Sequence, residues 1–263
     1  MVKREPVVPR LMLDTKIAIP FPSAQISIYQ PSILEIAFIG EASLIIGCNA
    51  LIKDYKSFQD NSDLSQFSNF QILMRMINDK SVNAKKVSDA IRDVFFLIFP
   101  NCKVTFTPMS IIIQDEEKQT HIIDDNNFES FLDIIYDIFC LAELTQNNTT
   151  EDYNPLGDRA RAIVEKFKKK HEFLAQQRKE NGEYPELMSI FGRYIDILAV
   201  GEHKDKNILK QYSVYQLVEE FTRFIWKQGY DTTFEARLAG ATKLKDPKDW
   251  TSEFSLGNNH DDD

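Results

Sequence analysis

Residues 25–41 read QISIYQPSILEIAFIGE, and the order of events in that stretch decides the fold. Ile26 and Ile28 alternate with Ser27 and Tyr29, the period of a strand with one buried face. Pro31 cannot donate to a ladder and closes the strand. Ser32 is followed three residues later by Glu35, the spacing at which a side-chain oxygen and a carboxylate satisfy the two ends of a capping box. The stretch therefore predicts a strand, a proline stop and a capped helix. Its continuation, SILEIAFIGEASLIIGCNALI, is apolar enough to suggest a membrane span. Glu35, Glu41 and Asn49 argue against one, since each acidic residue near a bilayer centre costs roughly 2.5–3.5 kcal/mol. A buried helix pair is the better reading.

Working outward, Phe70, Leu73, Met74 and Ile77 share one helical face. Val87, Ala90, Ile91, Val94, Phe95 and Ile98 share another. KVTFT, SIIIQ and THII then read as three short strands of a meander. Asn126 and Glu129 have capping-box spacing ahead of a helix carrying Phe128, Phe131, Leu132, Ile135 and Phe139. After an extension over 1–19, residues 20–142 thus predict an α+β unit with a small antiparallel sheet. ELTQNNTTEDYNP, residues 143–155, has no apolar periodicity and reads as a linker. Residues 156–250 predict a helical unit. Ala160, Ile163, Val164, Phe167, His171 and Leu174 lie on its first helix. Leu187, Phe191, Tyr194, Ile195 and Leu198 lie on its second, with Gly201 as the terminating C′ residue. Its third helix opens with Ser213 and Gln216 as a capping box. A separate short helix over Phe234–Leu238 follows Gly229, and residues 251–263 form a loose acidic tail. The fold class is α+β, mainly α-helical.

Composition narrows the chemistry. The 263 residues are 43% hydrophobic, enough for a substantial core. Nineteen Phe and nine Tyr against nine Gly favour helices over a turn-rich β architecture. A net charge of −9 opposes general affinity for phosphate backbones, so nucleic acid is not an expected partner. The basic run KFKKKHEF at 166–173 reads as a solvated helix face, with contact to RNA or an acidic partner as the alternative. Cys48, Cys102 and Cys140 are odd in number with no C-x-x-C spacing, which predicts reduced thiols and an intracellular setting. The start of the chain has no continuous apolar run resembling a secretory signal. His121, His171, His203 and His260 are scattered, and phosphate-binding glycine motifs are absent, so no metal or cofactor is expected. Asp124 and Asp125 precede a helix, where capping and the helix dipole explain carboxylates without catalysis.

ISIYQPSILEIAFIGE resembles the strand-Pro-Ser/Thr-helix opening of phage tail assembly chaperones, through Ile26, Ile28, Pro31, Ser32, Ile33, Glu35 and Ile36. The C-terminal stretch, with its VYQL, EEF and RF helix and an ARLAGA segment before an acidic Trp motif, is similar to the ends of proteins from tail-gene clusters. Those clusters belong to phages and prophages of low-GC Gram-positive bacteria. The resemblance implies a non-enzymatic factor of the host cytoplasm that binds the tape measure protein and shields its apolar helices. Two other readings stay open. One is a virion-associated structural subunit of the tail, baseplate or neck; the other is a hydrolase or nucleic-acid enzyme working through Asp124 or Asp125. For the first reading, Tyr215, Phe224 and Trp226 on the third C-terminal helix are the expected wall of a partner groove. The competing expectation is that all three belong to the core.

Overall fold

In a computed structural model of the chain, the structure describes residues 6–53, 66–79, 82–141 and 189–251, without 242, 243, 245 and 248. The quoted stretch folds as its pattern predicts. After a short helix α1 (Arg10–Asp14), β1 (Ile19–Phe21) pairs antiparallel with β2 (Ile26–Ile28), Ile19 opposite Ile28 and Phe21 opposite Ile26. A 3₁₀ turn over Pro22–Ala24 and the left-handed Gln25 join them. Helix α2 (Ile33–Ile39) starts on the complete capping box: Ser32 Oγ accepts from the Glu35 amide at 3.2 Å, and Glu35 accepts from the Ser32 amide at 2.7 Å. At Gly40, whose φ of +86° suits a residue without a side chain, the chain bends by 90° into α3 (Glu41–Ile52). Among the described residues no single helix is long and apolar enough to cross a membrane.

Residues ahead of β1 are anchored to the body. Val8 and Leu13 are buried, and the amides of Val7 and Val8 donate to Asp137 Oδ2 at 2.8 and 3.0 Å. The next helices, α4 (Asn69–Asn78) and α5 (Val82–Ile98), lead into the meander β3 (Lys103–Phe106), β4 (Ile111–Gln114) and β5 (Thr120–Ile123), ordered β3-β4-β5. Ile111, Ile113 and Ile123 point inward from it. The phenylalanines bind these layers into one core: Phe95 of α5 packs edge-on to Phe106 of β3 at 5.2 Å and stacks on Phe131 of α6 (Phe128–Ile138) at 5.4 Å. The capping box expected from Asn126 and Glu129 does not form. Asn127 holds the N-cap position instead, and its side chain closes the preceding turn, accepting from the Asp124 amide and donating to the Ile122 carbonyl.

The C-terminal elements are α7 (Ile190–Gly201), α8 (Lys206–Leu209) and α9 (Val214–Leu238). The linker at 143–155 and the helix expected over 160–174 lie outside the described residues, as does all of the acidic tail except Thr251. One hydrophobic cluster includes Ile28, Ile36 and Phe139 together with Phe191, Leu198, Leu209, Val214 and Leu217. Two capped helices begin side by side at its centre. Ser32 and Ser213 form a β-bridge, and the Ile33 and Leu34 amides donate to the Tyr212 and Lys210 carbonyls, each at 2.9 Å. The Ser213–Gln216 capping box is complete. Glu41 reaches across to the first turn of α7, accepting from the Ile190 and Phe191 amides.

Two expectations are corrected here. Helix α9 continues through Gly229 to Leu238 without a break, so no separate helix forms over Phe234–Leu238. An interior glycine costs only about 1 kcal/mol relative to alanine, too little by itself to end a helix flanked by good helix formers such as Lys227, Gln228 and Glu235. Gly201 is the last residue of α7 rather than its C′ residue, and the ring of Phe224 occupies the space a side chain there would need.

Candidate functional site

Helix α9 changes character along its length, and that change defines the site. Its first turns are core: Val214, Leu217 and Val218 are buried, and Phe221 stacks face to face on Tyr194 of α7 at 3.9 Å. Tyr215, one of the three expected groove residues, is only 2% exposed. Burial, with Glu219 and Asp14 close by, pushes its phenol well above the usual range. Phe224 and Trp226 are half-buried against the same core. At 3.6 residues per turn, the nine positions between Tyr215 and Phe224 place them on opposite sides of the helix. The structure therefore does not bring the three aromatic residues to one wall.

Beyond Trp226 the helix leaves the body. Tyr230 is 41% exposed, Phe234 55% and Leu238 75%, and residues 227–238 extend for about 18 Å at 1.5 Å per residue. Arg223, Lys227, Tyr230, Phe234 and Arg237 follow one another at spacings of four, three, four and three, which keeps them on a single stripe. Leu238 lies at its edge, one turn beyond Phe234. The sequence carried the signal in YDTTFEARL, but only if the helix persists past Gly229. Reading that glycine as a stop concealed the stripe.

The chain turns back after Gly240, whose φ is +96°. Arg237 then bonds to Asp246 and to the Leu244 carbonyl, Arg223 donates to the Trp250 carbonyl at 2.9 Å, and Lys227 lies 5.9 Å from the Trp250 ring centre. Trp250 stands at the rim of a cleft of about 450 Å³ lined by Asp14, Glu202, Tyr212, Glu219, Glu220 and Arg223. The carboxylates there already have partners: Glu219 takes both Arg10 and Arg223, and Glu220 takes Lys204. Burial raises the Glu219 carboxyl above its ordinary range against the pull of Arg223 and Arg10, and nearby Asp14 adds to the rise. The cleft is a structural ion-pair network joining α1 to α9.

The other sequence candidates occupy structural positions. Asp124 accepts from the Asn126 amide and side chain, and Asp125 from Gln71. His121 is buried on β5 between the Ala24 carbonyl and Asp115. No disulfide joins Cys48, Cys102 or Cys140, and burial pushes the Cys48 thiol far up. Among the described residues no group of three His, Cys, Asp or Glu side chains could hold a metal ion. His171 and His260 lie outside them. Comparison with known protein families, curated proteins and solved structures finds no match.

Proposed function

We propose that this chain is a non-enzymatic assembly factor that shields an apolar, helix-forming partner, and that the partner is the tape measure protein of a phage tail. The observation that carries the reading is the outer half of α9, an exposed helix with Tyr230, Phe234 and Leu238 on one side and little of the body behind it. Apolar side chains at helical spacing on a free helix are the complement of another amphipathic helix, which they engage through anchors at i, i+3, i+4 and i+7. Large exposed apolar patches on a folded domain mark interaction surfaces. The identity of the partner comes from the resemblance of ISIYQPSILEIAFIGE and the ARLAGA-containing end to tail-gene proteins. Asp124 and Asp125 serve their own turns and a neighbouring helix, which favours binding over catalysis.

The test is co-expression with the tape measure protein of the same tail-gene cluster. The wild-type chain is expected to keep that protein soluble. A Tyr230→Ser/Phe234→Ser variant of unchanged circular dichroism is expected to lose it. A folded variant that still holds the partner removes the stripe from the account. Recovery of the chain in purified particles at stoichiometric amount favours the structural-subunit reading.

A further inference from the structure

Residues 6–16 lie between the end of α6 and the start of α9, and side chains of other elements fasten them there. The Val7 and Val8 amides donate to Asp137 Oδ2 on α6 at 2.8 and 3.0 Å. Arg10 pairs with Glu219 of α9, and Gln216 of the same helix donates to the Asp14 carbonyl. Lys16 donates to the Gln211 carbonyl at 3.1 Å. Tyr215 is the residue these contacts close over: Arg10 and Asp14 border its phenol together with Glu219 and Cys140, and almost none of it reaches solvent.

Three observations distinguish this arm from the core it rests on. Along it only Val8 and Leu13 are buried, while Val7 and Leu11 face solvent. It joins β1 through Lys16, whose φ is +56°, and the exposed Ile17 and Ala18, a connection that can act as a hinge. In the docked position Gln30 turns its amide nitrogen to the Met12 and Ile17 carbonyls at 2.8 and 2.7 Å, which leaves its Oε1 buried without a hydrogen-bond partner among the described residues. A buried acceptor of that kind carries a desolvation cost that is relieved when water reaches it, so lifting the arm recovers part of what breaking its fastenings loses. The cleft lined by Asp14, Gln216 and Glu219 already brings solvent to the α9 side of the arm.

We propose that residues 6–16 are a releasable arm that masks Tyr215, and that the groove it vacates takes a partner helix of the same chemistry: an arginine for Glu219 and two apolar anchors in the places of Val8 and Leu13. The arm itself is the pattern of what fits there. Tethered at Lys16, it competes at the effective concentration of an intramolecular ligand, on the order of millimolar for a short flexible connection, and an incoming helix has to exceed that. None of these contacts involves the outer half of α9, so the arm stands independently of the function proposed above.

The experiment uses the full chain and a synthetic peptide of residues 6–17, PVVPRLMLDTKI, acetylated and labelled with fluorescein at its C-terminal end, with binding read by polarisation. A Val8→Asp/Leu13→Asp chain, whose own arm is unseated while the groove is intact, is expected to bind the peptide at least tenfold more tightly than the wild-type chain. A peptide carrying Leu13→Asp is expected to lose that gain. Circular dichroism verifies folding, and Arg10→Ala/Leu13→Ser serves as a second unseated chain. A folded unseated chain that binds the peptide no better than wild type overturns the proposal. Unfolding of both variants overturns it as well, because the arm is then part of the core. No tape measure protein is present, so either failure is distinct from a failure of the proposed function.

Discussion

Replacing Gly47 by alanine places a methyl group where α3 crosses α5. An added Cβ would lie 2.5 Å from the Ala90 carbonyl oxygen and 2.7 Å from Val94 Cγ2. The first of these is backbone in the middle of a helix and cannot rotate aside, so the two helices must separate. Overpacking of this kind costs typically about 1–3 kcal/mol. Alanine in place of glycine inside a helix recovers about 1 kcal/mol of propensity. A contact with fixed backbone at 2.5 Å belongs at the upper end of that range, about 2–3 kcal/mol, so Gly47→Ala is expected to lower the unfolding free energy by about 1–2 kcal/mol net. Gly229→Ala is the matched control: an added Cβ there meets nothing within 4 Å, so the same change is expected to stabilise by roughly 0.5–1 kcal/mol. Urea unfolding followed by circular dichroism reads both. A Gly47→Ala protein as stable as wild type refutes the close crossing of α3 and α5, and destabilisation by Gly229→Ala refutes the unbroken α9.

Three further outcomes follow from the contacts. Ser213→Ala removes the oxygen that accepts the Gln216 amide at the buried start of α9, and a loss of about 1–2 kcal/mol is expected in the same assay; no loss places the helix start elsewhere. Glu219 has a folded carboxyl raised above its unfolded range, so its contribution is greatest below the unfolded value and is lost as pH rises through the folded one. The stability of wild type relative to Glu219→Gln is therefore expected to fall as pH rises above the ordinary glutamate range, and a rise would reverse the assigned direction. Gln30 donates to the Met12 and Ile17 carbonyls at 2.8 and 2.7 Å, so Gln30→Leu is expected to loosen the α1–β1 connection and speed proteolysis ahead of Ile19; unchanged cleavage removes that anchoring role.

What could be read from sequence was local chemistry with a short reach. The strand, proline and capping box at 26–35, the meander and the Ser213–Gln216 start of α9 each depend on residues within four positions of one another. The misreadings needed distant partners or comparison of competing local bonds. Asn126 and Asn127 are both good caps, and the turn hydrogen bond to Ile122 selects Asn127. Gly201 resembled a helix stop, but its purpose is room for Phe224, 23 positions later. For Tyr215 the sequence left groove and core both open, and it is the neighbouring Asp14, Arg10 and Cys140, from other parts of the chain, that surround the buried ring. The pairing of the two capped helices at Ser32 and Ser213 joins residues far apart in the chain, and no periodicity announces it.

The central claim is that a partner docks on the outer half of α9, and amide hydrogen exchange of the chain, alone and co-purified with the tape measure protein, tests it most directly. Alone, residues 227–238 are mostly exposed, so their amides should exchange far faster than those of 214–221, which pack against the core. In the complex, exchange across 227–238 is expected to slow markedly while 214–221 change little. A complex that leaves 227–238 exchanging at the rate of the free chain contradicts the account.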